Sequence, residues 1–411
     1  MTVHLNFRTI AFFLGVLIFS SSNLIASDAL ANAGFQKWIR DFEKTARKSG
    51  ISKSTYRLAF KGVTSPDPRV LEKARFQPEF IQKTWHYLDT RVNERTIGNG
   101  KEMKRKWSRL LSRIEKSYGI DRHIILAIWS METSYGAALE KPGRLHNVIR
   151  ALATIAYADK RRRKFGRTQL IHAMRILQNG HVSREGLIGS WAGAMGHTQF
   201  IPSSYNTYAV DADGNGRKDI WNSIPDALAT AANLLKRNGW RTGRTWGYEV
   251  KLPKSVTSKQ NGKTRTLGQW QKLGVRRING KPFPRPKEKA VLKLMSGRNG
   301  PAFLMLRNFY VLKRYNNADK YALGVGHLAD RIAGYGPIQK KWPRKFQPLS
   351  DKEKKELQRL LSRLGLYDGE IDGDIGSGSR AAIKQMQKKF GMRPDGYDSK
   401  EFLRKLRRYR A

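Results

Sequence analysis

The chain has 411 residues, room for two or three domains, and its 39% apolar content, with ten Trp, fifteen Tyr and seventeen Phe, excludes a disordered polymer even though 27% of residues are charged. A formal net charge of +46 requires a polyanionic partner, whether nucleic acid, a membrane surface or a carboxylate-bearing polymer. The absence of cysteine excludes a disulfide framework and a lipid-attachment cysteine.

At the N-terminus, Arg8 precedes an apolar run from Thr9 to Phe19, and small residues follow. Ala29-Leu30-Ala31 and Ala31-Asn32-Ala33 both fit a small-x-small cleavage site. Residues 1–33 therefore read as a secretory signal peptide, too short for a comfortable membrane span, with an uncleaved anchor as the alternative. Cleavage would remove one base, Arg8, and one acid, Asp28, so the mature chain stays at +46. Export to the periplasm or cell wall turns the expectation away from nucleic acid, and no transmembrane span is expected after cleavage.

From Gly34 to about Tyr118 the pattern is helical, with Phe35 to Lys48 at helical spacing, a Ser52 cap before a short helix, and a basic amphipathic helix from Lys101 to Tyr118 closed by Gly119. Asp121 is placed to cap the next helix, which carries Ile124 to Gly136. At about 100° per residue, Ile124, Ile128, Met131 and Tyr135 share one face, and Glu132 falls among them. Burial on such a stripe disfavours the charged carboxylate and leaves it able to hold a proton near neutrality, as a general acid must. The plainer reading is a helix-end Glu that reaches water. Helices follow over Asn147–Asp159 and Gln169–Gln178, and the basic run Lys160–Lys164 between them reads as a solvated face, with contact to an anionic ligand as the alternative.

Ser190 to Ser204 holds Ala192-Gly193-Ala194 and Gly196, small residues that suit close backbone approach, and Gln199, which offers a donor and an acceptor. Asp211 to Asp219 opens like an EF-hand loop, with Asp211, Asp213, Asn215 and Asp219 at positions 1, 3, 5 and 9 and Gly216 at position 6. Asn222 stands where the bidentate Glu belongs, so a weak Ca2+ site or a plain Asx-rich turn is expected, and no cofactor is required. The helical period fails between Val250 and Leu304, where short β-like runs at Tyr248–Leu252, Val291–Met295 and Ala302–Leu306 point to a small β insertion. Helical pattern returns from Ala318 to Ile332, and three prolines among bases mark a linker over 337–348. Residues 349–411 then read as a small three-helix unit, with helices at Asp351–Leu364, Arg380–Phe390 and Ser399–Arg408, of a size that favours a binding module.

Three segments together are specific: Met131-Glu132-Thr133-Ser134-Tyr135-Gly136, the Ala192 to Gly196 run, and Tyr315-Asn316 followed by Tyr321-Ala322-Leu323-Gly324-Val325-Gly326. Residues 34–336 resemble the membrane-bound lytic murein transglycosylase B family. The resemblance implies a mainly α, lysozyme-like helical catalytic domain with a small β insertion. It also implies that Glu132 is the single catalytic residue, with Ser190, Gln199, Tyr315, Asn316 and Tyr321 contacting sugar. Residues 349–411 resemble the type 1 peptidoglycan-binding domain through Asp372-Gly373, Gly376, Arg380-Ala381-Ala382-Ile383 and Gln387, with Ser379 where Thr is usual and Met386 where Phe is usual. Glycoside cleavage ordinarily takes two carboxylates, and none shares a motif with Glu132. In the family one Glu suffices, because the muramic acid O6 hydroxyl attacks intramolecularly and leaves a 1,6-anhydro end. The expected activity is thus cleavage of the MurNAc-GlcNAc β-1,4 bond of peptidoglycan glycan strands. The alternatives are a hydrolytic muramidase and a non-catalytic protein that binds the wall or nucleic acid.

Overall fold

The computed structural model describes residues 32–75, 83–141, 143–344, 347, 349–373 and 375–409, so all but the last two residues of the expected signal peptide lie outside the described residues. Among the described residues no helix is long and apolar enough to cross a membrane. The chain forms two compact units, one from residues 1–77 and 135–233 and the other from 78–134 and 234–411.

The first unit is helical. Residues 32–48 form its first helix, followed by Lys53–Phe60, capped by the Ser52 side chain as expected, and Pro68–Arg75. Helices Val148–Ala158 and Arg163–Gln178 pack closely because Gly166 has no side chain, and a Cβ there would lie 2.6 Å from the Ala156 backbone nitrogen. The second of these helices begins earlier than its spacing predicts, inside the basic run. Lys160, Arg161, Arg163 and Lys164 are solvated, whereas Arg162 turns back to the Ala74 carbonyl, Asp159 and the Trp191 ring. A two-stranded antiparallel pair, His146–Asn147 with Ile188–Gly189, closes the unit beside the loop that holds Ser190.

The second unit differs from expectation at its start. In place of one helix over Lys101–Tyr118 there are two segments, Glu94–Lys106 and Ser108–Tyr118, interrupted at Trp107 (φ −105°, ψ 22°). The basic end of the first segment is solvated, while Leu110, Leu111 and Ile114 of the second are buried, and the break at Trp107 re-aims the apolar stripe toward the core. Gly119, left-handed at φ 70°, ends that segment as predicted, and Asp121 caps Arg122–Thr133 by accepting from the His123 amide. Nine residues of the Arg122–Thr133 helix are buried, so it is a core helix apolar on nearly every side.

The helix Asp319–Ala333 packs on it at Gly324, where a Cβ would touch the Met131 methyl at 3.0 Å, and packs on Trp246 at Gly326, where a Cβ would lie 2.6 Å from the ring. The β insertion is a five-stranded antiparallel sheet in the order Thr264–Thr266, Lys289–Leu294, Ala302–Met305, Gly247–Lys251, Arg276–Arg277, built on a core of Val250, Trp270, Leu292 and Leu304. Its two edge strands are the shortest and were not visible as β runs. Toward the C-terminus, helices Asp351–Arg363, Ser377–Lys389 and Lys400–Arg408 enclose a separate core of Leu357, Leu361, Ile383, Phe402 and Leu406.

Candidate active site

Glu132 sits in the last turn of its helix, half-buried, and its Oε1 accepts a hydrogen bond of 2.6 Å from the Tyr321 hydroxyl. Loss of hydration raises the Glu132 pKa to about 7, against the opposing influences of the Tyr321 hydrogen bond and the Arg91 guanidinium, both of which favour the carboxylate. Burial dominates, so the carboxyl is poised between its two states near neutrality. Tyr321 is buried, and burial together with the adjacent Glu132 holds its phenol well above the ordinary tyrosine range, so it remains a donor. Its ring stacks on Tyr315 at 6.3 Å between centroids and 13° between planes. Asn316 follows as the exposed C-cap residue of the Arg307–Tyr315 helix. Glu132, Tyr315, Asn316 and Tyr321, which the family resemblance groups together, lie in the same unit of the fold. The resemblance did not reveal Arg91, which donates to the Met131 carbonyl at 3.4 Å and stands over the Tyr87 ring, because no motif marks an arginine forty residues upstream.

Tyr135 does not belong to the Glu132 helical face. The helix ends at Thr133, and Ser134, Tyr135 and Gly136 follow in left-handed conformations, at φ 51°, 62° and 98°. Among the described residues, the non-glycine positions with positive φ are Ser134, Tyr135 and Gln199, all within the two motifs singled out from the sequence. Such backbone costs of order 1–3 kcal/mol per residue and is typically kept where function fixes a side chain.

Ser190 and Gln199 lie in the first unit, where both shape a tight loop. The Ser190 hydroxyl accepts from the Ala194 amide at 3.0 Å, and the Gln199 side-chain amide donates to the Gly196 carbonyl at 2.9 Å. The glycines between them are required by the protein itself. A Cβ on Gly193 would meet Leu152 at 2.9 Å, and one on Gly196 would meet the Ile220 carbonyl oxygen at 2.3 Å. The small-residue run thus serves internal packing, and holds the half-buried Ser190 and Gln199 in fixed positions.

In the loop at Asp211, the carboxylates of Asp211, Asp213 and Asp226 bring oxygens within 4.8 Å of one another. Asp219, expected as a ligand, instead turns its Oδ1 to the amides of Trp221 and Asn222 at 2.9 Å. Asn215 is occupied in part by the Arg217 amide, 2.8 Å from its Oδ1. The buried Asp226, absent from the loop pattern, takes the third place, and its pKa is raised by burial and by the nearby Asp213. Backbone amides satisfy Asp211 through Gly214 and Gly216, so the loop is held even where no cation compensates its charge. The donor set is all oxygen, which suits a hard cation.

Glu132 thus combines a carboxyl poised near neutrality, a tyrosine donor on that carboxyl and left-handed backbone just after its helix. The chain belongs to the Transglycosylase SLT domain family, whose model matches residues 34–330, and a peptidoglycan binding domain family matches residues 350–406. The membrane-bound lytic murein transglycosylase B of Escherichia coli strain K12 is 29% identical over 242 residues, 58% of this chain and 64% of that protein, so the chain spans less than two thirds of that relative's length. The crystal structure of SltB3 from Pseudomonas aeruginosa in complex with NAG-anhNAM-pentapeptide is 44% identical, with a TM-score of 0.72, covering 91% of this chain and 99% of that one. The Escherichia coli lytic transglycosylase Slt35 in complex with calcium is 25% identical, with a TM-score of 0.60, covering 73% of this chain and 92% of that one. The fold is accordingly the mainly helical, lysozyme-like one, as the sequence resemblance implied.

Proposed function

We propose that the chain is an exported lytic murein transglycosylase. Residues 1–33 serve as the signal, 34–336 as the catalytic domain, 337–348 as a linker and 349–411 as the wall-binding module, with the cell wall or periplasm as the place of action. The observation that carries the reading is a single carboxyl, Glu132, with its pKa near 7 and its oxygen held by Tyr321. The protonated Glu132 gives its proton to the glycosidic oxygen between MurNAc and GlcNAc. The resulting carboxylate then takes the proton of the muramic acid O6 hydroxyl as that oxygen bonds to the anomeric carbon, which closes a 1,6-anhydro ring without consuming water. Tyr315, Asn316 and Tyr321 are assigned to holding the sugar so that O6, not solvent, faces the reacting carbon, and Ser190 and Gln199 are assigned to glycan contacts. The anhydro sugar held by the SltB3 relative supports this product.

In mass spectrometry of digested sacculi, muropeptides should end in 1,6-anhydro-muramic acid and take up no heavy oxygen from labelled water. Glu132→Gln should lower turnover at least about 100-fold while the protein stays folded. Labelled reducing ends as the main product would reassign the chain as a hydrolytic muramidase.

Asp211, Asp213 and Asp226 are assigned to a weak Ca2+ site that stabilises the loop and takes no part in the reaction. Calcium should raise the melting temperature by a few degrees in the native chain and not in Asp213→Asn, with turnover unchanged by chelator. Loss of turnover on chelation would give the metal a larger role.

A further inference from the structure

The helix pair that carries the active site has a second end. Tyr321 meets Glu132 near the start of Asp319–Ala333, and Asp330 stands nine residues further along, about 13 Å down the axis at 1.5 Å per residue. The Arg122–Thr133 helix runs the opposite way, so its first turn lies beside Asp330, where Asp121 and His123 act on that carboxyl electrostatically. At this end a cleft of about 810 Å³ opens between the two helices and the Gly247–Lys251 strand. Glu132 and Tyr321 do not line it.

Most carboxylates of this cleft are committed. Glu115 binds Arg122 at 2.7 Å, Asp121 binds the His123 ring at 2.8 Å, and Glu249 accepts the amides of Gln339 and Lys340 at 2.9 and 2.8 Å. Asp330 differs, because one oxygen takes the Trp246 indole N–H at 3.0 Å and no other side-chain hydrogen bond is made to it among the described residues. Three further aromatic rings line the same cleft. Tyr335 is 70% exposed, and its backbone N–H donates to the Asp330 carbonyl at the helix end at 2.9 Å. Tyr248 is braced by the Arg277 guanidinium, 4.7 Å from its centroid, and Trp240 is half-buried. Planar amides of Asn279 and Gln339 complete the lining.

A pocket of this size that sets aromatic rings beside carboxyl, guanidinium and amide groups suits a ligand with flat C–H faces and equatorial hydroxyl and amide groups. The geometry points to a second saccharide site: the cleft of Asp330, Tyr335, Tyr248 and Trp240 binds N-acetylhexosamine rings of a β-1,4-linked glycan strand at a place separate from the cleavage site. The inference rests on the proposed glycan substrate, but its binding test does not require turnover. A second foothold holds a long strand near the cleavage site and raises its effective concentration there, while a strand too short to reach both sites gains nothing.

The test uses the full chain carrying Glu132→Gln and the tetramer of β-1,4-linked N-acetylglucosamine. Calorimetry should resolve two binding events, and nuclear magnetic resonance should show the Trp240 indole N–H shifting with one of them. Tyr335→Ala, at an exposed position, and Asp330→Asn, which keeps an acceptor for Trp246, should each weaken that event at least about fivefold and leave the other unchanged. With Glu132 intact, Tyr335→Ala should raise KM for long strands several-fold and leave the turnover of short soluble glycans unaltered. A single binding event indifferent to both substitutions, or an unshifted Trp240, overturns the inference. A chain that shows both events yet releases no anhydro product overturns the proposed activity and leaves the second site standing.

Discussion

Two influences of opposite sign meet at the Glu132 carboxyl. Burial favours the neutral acid, and Tyr321 and Arg91 favour the carboxylate; the outcome near 7 keeps both proton donor and proton acceptor within reach at the same pH. The same balance has a stability consequence. An unfolded Glu titrates near 4.5, so between that value and about 7 the folded chain binds the proton more tightly than the unfolded chain does, and stability is lost as pH rises through this window. Glu132→Gln removes the titration. At pH 8 the variant should be more stable than the native chain by up to about 3 kcal/mol, and the difference should close toward pH 4.5. Denaturant titrations at pH 5 and pH 8 measure it, and a difference that does not change with pH would show that Glu132 is not a buried acid.

At the scale of elements, glycines set how closely the helix Asp319–Ala333 approaches its neighbours, and the two contacts are unequal. Gly324 faces the flexible Met131 methyl, whereas Gly326 faces the fused ring of Trp246, itself tied to Asp330. Gly326→Ala should therefore destabilise by about 1–3 kcal/mol despite the better helix propensity of alanine. Gly324→Ala should be close to neutral. Equal midpoints for the two variants in urea would refute this account of the packing.

Much of this was legible beforehand. The apolar setting of Glu132, the Asp121 cap, the Gly119 stop and the three C-terminal helices all follow from local spacing, which helix geometry converts directly into position. The failures share a cause. Tyr135 left its face because three left-handed residues end the helix early, Trp107 split a continuous amphipathic pattern, and Asp226, outside the loop pattern, is brought back beside Asp211 and Asp213. Each is decided by tertiary packing, to which a periodic pattern is blind.

Over the whole molecule, charge and specific recognition act at different ranges. A net charge of +46 draws the chain to any anionic wall, and that attraction fades as the screening length falls from about 10 Å at 0.1 M salt to about 3 Å at 1 M. The C-terminal helices add short-range contacts, and they are tethered. Arg344 grips Asp89 with both terminal nitrogens and also reaches the Tyr397 hydroxyl, and the Tyr397 ring meets His86 edge-on at 4.7 Å. Truncation after Pro348 should spare cleavage of short soluble glycans and reduce retention on sacculi, most visibly in high salt where bulk charge no longer holds the protein. Retention in 0.5 M salt that is unaltered by truncation would remove the wall-binding role from the C-terminal helices.

The five-stranded sheet has one further property that concerns the company the chain keeps. Its fully buried strand Ala302–Met305, Ala-Phe-Leu-Met, is the kind of segment that seeds aggregation when its backbone is open. It is flanked on both sides, and the outermost strands are only three and two residues long, with exposed Arg265 on one and exposed Arg276 on the other. An approaching foreign strand would find two or three backbone groups and a guanidinium. Such blunt and charged borders keep neighbouring copies from zipping together at high local concentration.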